Sequence, residues 1–264
     1  MPARIGRKQE ALRRLFAEVQ RQCENGPLIF DNQLTKQITG GTFGNQYDVT
    51  KIDTSIKLPA ELTQADYFVI HLGSGRHQFV RGIQLGFHRL EPIPFQDTVD
   101  WKYRQSVLNE TDTSEASILA LVNNQRILHD FLYEDIVASP KTYLPRRTKA
   151  SFSYCIHNQH VEVKNLQIEM DLTLEYLGEV SICEGKNGRP ADFAVYQLYH
   201  PFRYFSNLQV GKGILIRTVS GVLVNRYRED GHTLIELRKY RFKEAQRLDS
   251  IDLEKAARYR LVRR

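Results

Sequence analysis

The sequence predicts an α/β chain of the α+β kind, and three observations predict it. Residues 7–22 and the stretch from Glu115 to Leu132 repeat apolar side chains at helical spacing. Segments across 151–164, 169–186 and 213–241 are short apolar or alternating runs of strand type. Turn signals at Gly178 and Asp230-Gly231 fall between neighbouring runs, as hairpins require. At 264 residues, 41% of them hydrophobic, the chain is long enough to bury a substantial core.

The elements follow in order. Ala11, Leu12, Leu15, Phe16 and Val19 form the apolar stripe of a helix over 7–22, and Asn25-Gly26-Pro27 ends it. A short run Leu28–Phe30, a short helix near Asn32–Ile38 and a glycine-rich turn at Gly40-Gly41-Thr42-Phe43-Gly44 come next. Two helices this close allow a helix-turn-helix reader of DNA, a shape that also arises by chance. Three strand runs follow: Tyr67–Leu72, Gln78–Ile83 and one around Gln84–Leu90. Gly73-Ser74-Gly75-Arg76 between the first two is not a phosphate-binding loop, because no Gly-Lys-Ser/Thr follows it. Pro92, Pro94 and the polar run to Thr113 predict a loop or boundary, dividing an N-terminal mixed α/β region (1–110) from a core (111–264).

Asp112-Thr113-Ser114-Glu115 has capping-box character and opens a long helix whose buried side is Ile118, Leu121, Val122, Leu128, Phe131 and Leu132. Residues 151–164 alternate as a strand and break at the turn His157-Asn158-Gln159-His160. The strands carrying Asp171 and Glu184 come next. Pro190 sits where a helix's first turn tolerates it, with Ala191, Ala194, Val195 and Leu198 as the apolar stripe and Pro201 as the stop. Strands are expected at 213–219, 222–228 and 233–241, the last two joined across Asp230-Gly231.

Composition narrows the function classes. No apolar run approaches the length of a membrane span, and Met1-Pro2-Ala3-Arg4 carries charge without the apolar core of a secretory signal. Cys23, Cys155 and Cys183 are too few and odd in number for a disulfide framework, so the expected setting is the cytoplasm. The formal net charge of +6 permits a polyanionic partner. Basic residues concentrate at Arg4–Arg21, at Arg226, Arg228, Arg238, Lys239 and Arg241, and at Arg258, Arg260, Arg263 and Arg264. Each cluster alone is also read as a solvated face; together with 10% aromatics they fit a nucleic-acid surface.

The chemistry concentrates at 169–186. Side chains alternate along a strand, so Glu184 and Lys186 share one face while Cys183 and Gly185 take the other. Hairpin pairing across Gly178 stands Asp171 beside Glu184, gathering two carboxylates and an ammonium. That gathering is unfavourable without a cation to share, and two carboxylates on Mg²⁺ beside a lysine suit phosphodiester hydrolysis. The plain reading of Glu184 and Lys186 is a surface ion pair, and Glu115 is equally readable as a helix cap. Glu169 and Glu175 share the parity of Asp171 and are expected to be solvated. Cys155, His157 and His160 fit no zinc spacing. His71, His77 and His200 have ordinary structural readings, with phosphate or DNA contact as the alternative for the first two.

That element order and these residues resemble the restriction-endonuclease-like, PD-(D/E)XK nuclease superfamily over Asp112–Tyr240, most closely its type II restriction enzymes. Asp171 matches the first acidic position and Glu184-Gly185-Lys186 the triplet. Met170 departs from the family's proline. The resemblance implies a restriction-endonuclease-like core, a central mixed β-sheet flanked by helices. It implies Mg²⁺ held by Asp171, Glu184 and the carbonyl of residue 185, with Lys186 orienting or deprotonating the attacking water. Glu115 falls where members carry a further metal-oriented glutamate, and Gln197 where a polar side chain supports the lysine or a phosphate. The expected activity is sequence-specific cleavage of double-stranded DNA in a restriction system, by a homodimer, with no membrane partner. A repair or structure-specific nuclease of the same fold is one alternative; a non-catalytic DNA-binding regulator is the other.

Overall fold

The computed structural model describes residues 6–23, 25–104, 106–107, 114–212 and 215–264. Among them are eight helices, a seven-stranded mixed sheet and three smaller sheets, an α+β architecture. The helices are α1 (Arg7–Gln22), α2 (Asn32–Thr39), α3 (Tyr47–Thr50), α4 (Ala60–Gln64), α5 (Ile83–Gly86), α6 (Glu115–Asn124), α7 (Ile127–Tyr133) and α8 (Tyr196–Lys212).

The N-terminal region builds a three-stranded sheet from β1 (Leu28–Asp31), β2 (Tyr67–Gly73) and β3 (Arg76–Arg81), with β3 in the middle. Ala11, Leu12, Leu15, Phe16 and Val19 of α1 are buried in the core beside it, as the stripe predicts. The helix-turn-helix expectation is corrected here. β1 stands between α1 and α2 and pairs antiparallel with β3, from Leu28 opposite Phe79 to Asp31 opposite Arg76. A strand committed to a ladder cannot serve as a three- or four-residue turn. The run expected at Gln84–Leu90 is the short helix α5 followed by β4 (Phe87–Arg89).

The central sheet runs β5-β14-β13-β12-β10-β9-β6. Its members are β5 (Thr98–Tyr103), β6 (Lys141–Tyr143), β9 (Leu172–Tyr176), β10 (Glu179–Asn187), β12 (Thr218–Glu229), β13 (His232–Phe242) and β14 (Ile251–Arg263). β10 with β12 and β14 with β5 are parallel; the other neighbours are antiparallel. The segment 92–113 is therefore not a plain loop, because β5 pairs along β14 at the sheet edge. The expected 213–219 and 222–228 strands are one, β12, continuous from Thr218 to Glu229. A long hairpin of β7 (Arg146–Ile156) and β8 (Gln159–Met170), turning at His157-Asn158, forms a separate two-stranded sheet.

Two helix expectations change. The helix after Ser114 is two helices, α6 and α7, because Arg126 takes a left-handed φ of 63° between them. The Asp112 and Thr113 part of the capping box lies outside the described residues; Ser114 is the cap, accepting from the Ser117 amide at 3.2 Å. Pro190 does not open a helix either. Asp192–Ala194 forms β11, paired with β4, and α8 begins at Tyr196. Pro201 lies inside α8 instead of stopping it. Its fixed φ is already helical, so it removes one backbone bond while Leu198, Tyr199 and Phe202 stay buried.

Two cores lie against the central sheet. One joins α1, the small sheet, the β7–β8 hairpin, α8 and Val180 and Ile182 of β10. The other joins α6 and α7 to Leu172, Leu174, Cys183, Val222 and Val224. β10 thus presents Val180 and Ile182 to one core and Cys183 to the other, and the same alternation directs Glu184.

Candidate active site

β9 and β10 pair antiparallel with Leu172 opposite Cys183, so the next step of that register sets Asp171 opposite Glu184. Asp171 occupies the bend where β8 leaves its hairpin and β9 enters the central sheet. The two carboxyl groups lie within hydrogen-bonding reach of each other. Lys186 Nζ donates to Glu184 Oε1 at 2.7 Å and to Glu115 Oε1 at 3.3 Å. From the first turn of α8, Gln197 Nε2 donates to the same Glu184 oxygen at 2.8 Å.

The middle residue of the triplet has a role that the sequence does not announce. Gly185 faces α6, and a Cβ there would lie 2.7 Å from the Glu115 carbonyl oxygen. The missing side chain lets the first turn of α6 sit on β10. Glu115, at that turn, then reaches the Lys186 ammonium. All five expected residues, Asp171, Glu184, Lys186, Glu115 and Gln197, line one cleft of about 330 Å³. Its other charged residues come from the N-terminal region and from β8.

That contribution is what the sequence did not reveal. Asp48, Lys51, Asp53 and Lys57 lie on and after α3, and Lys8 on α1. Their segment is pinned over the cleft by hydrogen bonds that include two to the strand and helix beside Gln197. The Tyr196 hydroxyl donates to the Ile52 carbonyl at 3.4 Å, and the Ser55 amide to Asp192 Oδ1 at 2.8 Å. The alternation of acids and lysines over 48–57 is the one signal these residues carry, and it does not say what they face. Glu169 lines the cleft edge, held by Arg147 at 2.8 Å and Lys51 at 3.5 Å. Glu175 instead bonds Lys141 and Tyr143 at the far sheet edge.

The electrostatics are unbalanced. Six carboxylates (Asp48, Asp53, Glu115, Glu169, Asp171, Glu184) face four ammonium groups (Lys8, Lys51, Lys57, Lys186). Burial, joined by the charges of Asp171 and Glu115, pushes the Glu184 carboxyl up to about 7 although Lys186 opposes it. Burial likewise raises Asp171 above the ordinary aspartate range. Burial works against the Lys186 ammonium, yet Glu184, Glu115 and Asp53 outweigh it and hold its pKa above the usual lysine value. One ammonium shared by several carboxylates is over-stabilised while the carboxylates stay under-compensated.

A divalent cation fits that deficit. Among the described residues no group of three or more His, Cys, Asp or Glu side chains could hold a metal by itself. Mg²⁺ does not require one, since it is commonly bound through one or two carboxylates, with waters and substrate phosphate completing its shell. Asp171 and Glu184 supply two carboxylates, and beside them Gln197 Oε1 is a buried acceptor that lacks a partner among the described residues. An orphaned acceptor next to two under-compensated acids is the signature of a site completed by a ligand.

The remaining candidates have structural roles. His200 is buried with Nε2 3.3 Å from the Tyr154 hydroxyl. The basic clusters are largely absorbed: Arg238 and Arg258 are buried around Glu236, Arg260 pairs with Asp100, and Arg241 with Asp252. Arg13 and Arg21 bond glutamates one turn earlier in α1. Among the described residues no helix is long and apolar enough to cross a membrane. A family model described as Domain of unknown function (DUF6997) matches residues 83–260. No curated protein and no solved structure matches the chain.

Proposed function

The chain belongs to the family described as Domain of unknown function (DUF6997), and from the geometry of its cleft we propose that it is a Mg²⁺-dependent endonuclease acting on double-stranded DNA. The observation that carries this reading is the Asp171–Glu184 pair with Lys186 Nζ 2.7 Å from Glu184. The type II restriction enzymes it resembles give the finer assignment, sequence-specific cutting in a restriction system. One cleft cuts one strand, so symmetric duplex cleavage calls for a homodimer.

Hydrolysis of a phosphodiester needs positive charge where negative charge develops, and a nucleophile in line. Asp171 and Glu184 would hold the cation, which would supply Lewis acidity toward the phosphate and lower the pKa of a bound water. Lys186 extends from the same strand face, and its ammonium orients the attacking water and neutralises the developing charge. Gln197 fixes the Glu184 carboxylate from the α8 side. Glu115 holds Lys186 from the other side and keeps it protonated.

Digestion of phage DNA with Mg²⁺ tests the reading. Wild type yields discrete fragments, while Asp171→Ala and Lys186→Ala yield none and still bind DNA when Ca²⁺ replaces Mg²⁺. Cleavage of branched DNA faster than of every intact duplex would move the assignment to structure-specific repair. Unchanged cleavage by both variants would refute it.

A further inference from the structure

A second cleft of about 460 Å³ opens beside the first and shares Tyr47, Asp48, Lys51, Leu166, Gln167 and Glu169 with it. Its walls differ in kind. Arg76, Arg147 and Lys149 stand exposed on it, and Arg76 and Lys149 have no ion-pair partner among the described residues. The rest of the lining includes Asn32, Asn45, Asn165 and Gln167, the rings of Tyr47, His71 and His77, and the acids Asp48 and Glu169, the latter paired with Arg147. Cations outside with amides and aromatic rings within is the arrangement that takes a nucleotide by its phosphate and its base.

The histidine pair supplies an independent observation. His71 and His77 are opposed across β2 and β3, with Nδ1 to Nδ1 at 3.0 Å. His77 Nε2 bonds Asn32 Oδ1 at 2.9 Å, and a carbonyl oxygen only accepts, so His77 Nε2 carries the hydrogen. In a neutral ring His77 Nδ1 is then a bare acceptor, and His71 Nδ1 must donate to it. That leaves His71 Nε2 as a lone pair, and it is buried without a partner among the described residues. Burial holds both rings neutral, His77 at about 4 and His71 well below its ordinary value. His71 is 2% exposed, and its ring lies 4.3 Å from that of Tyr47, centroid to centroid. A buried acceptor without a donor, flanked by an aromatic ring and amide side chains, is half of a hydrogen-bonding surface.

We infer that this second cleft is a nucleobase pocket, taking one unstacked base of the strand whose phosphate lies at Asp171 and Glu184. The base's N–H edge meets His71 Nε2, Asn165 and Gln167 read its remaining edge, Tyr47 packs against its face, and Arg76 and Lys149 hold the flanking phosphates. The inference rests on the nuclease reading for its choice of ligand.

Titration of the ¹⁵N-labelled full chain with each of the four deoxynucleoside monophosphates, up to about 10 mM, tests it by NMR. At least one nucleotide shifts the His71 ring and the side-chain amides of Asn165 and Gln167, while inorganic phosphate does not. Asn165→Ala weakens that binding at least about tenfold, His71→Phe does the same, and Lys141→Ala, at the far sheet edge, leaves it unchanged. Equal shifts from phosphate alone, shifts confined to the surroundings of Lys186, or no shift with any nucleotide would each overturn the pocket. Binding here without DNA cleavage by the wild type would remove the nuclease reading and leave the pocket standing; the converse would do the opposite.

Discussion

Two buried ionic clusters sit on the same central sheet and differ in one respect, their balance. On β13 and β14, Glu236 accepts from Arg258 at 2.8 and 3.0 Å and from Arg238 at 2.8 Å, with the Tyr227 hydroxyl as a third donor residue. The arginines also donate to backbone carbonyls, Arg238 to Glu91 and Arg258 to Ile93. Burial opposes the Glu236 charge, but these donors outweigh it and hold its carboxyl below the ordinary glutamate range. At the end of β10 the ratio is reversed: several acids share Lys186, and Glu184 and Asp171 are raised. A cluster whose acid is compensated ties the 91–93 segment to the sheet; an acid-rich one leaves its carboxyls under-compensated. The sheet holds both, and the second opens into a cleft.

The largest expected effect separates the clusters by activity. Lys186→Ala should lower the DNA cleavage rate by about a thousandfold, the scale of losing a group that acts on the reacting proton and charge. A residual rate within tenfold of wild type would place Lys186 outside the reaction.

Stability separates them in the opposite sense. Glu236→Gln leaves Arg238 and Arg258 buried without their counter-charge and should cost about 3–5 kcal/mol in urea unfolding. Glu184→Gln at pH 8 should cost nothing or raise the midpoint, since it removes a carboxylate that its surroundings disfavour. Equal losses in the two variants would erase the distinction.

The same contrast has a pH dependence. Burial pushes the Glu184 carboxyl up to about 7 in the fold, from an ordinary glutamate value of 4.5, so the folded chain binds the proton more tightly. Without divalent cation, the stability from this group is therefore full below about 4.5 and declines as pH rises toward 7, by on the order of 3 kcal/mol. Mg²⁺ should recover it, raising the melting temperature more at pH 8 than at pH 5. Glu184→Gln should flatten the slope. A melting temperature that climbs with pH over this window, in the absence of metal, would contradict the raised carboxyl.

How much of this was readable from the chain follows the range of the interactions involved. The Asp171–Glu184 juxtaposition was legible because a hairpin is local: strand alternation and the Gly178 turn fix which residues meet. The stripe of α1 was legible for the same reason. The break at Arg126 was not, since Ile118 to Leu132 keep helical spacing through it and nothing in the pattern marks a left-handed residue. The edge strand β5 was hidden because Val99 and Trp101 sit in a polar run, and its pairing partner lies some 160 residues later in β14. Lys8, Asp48 and Asp53 reach the cleft by tertiary packing alone. Arg238 and Arg258 read as surface charge because their counter-charge, Glu236, is equally ordinary in sequence.

Glu115 offers the smallest and most discriminating effect. Its side chain is half exposed and its contact to Lys186 is 3.3 Å, longer than that of Glu184. The cap of α6 is Ser114, so Glu115 contributes to the helix only through its charge in the first turn, about 0.3–1 kcal/mol. If that were its sole role, Glu115→Gln would shift the midpoint slightly and leave cleavage untouched. If it holds Lys186 in place, the rate should fall about tenfold with the midpoint nearly constant, a loss of about 1.4 kcal/mol in the transition state. Glu115→Asp keeps the charge but shortens the reach. It should preserve the midpoint and still lose rate, which places the requirement on contact with the ammonium and not on the helix.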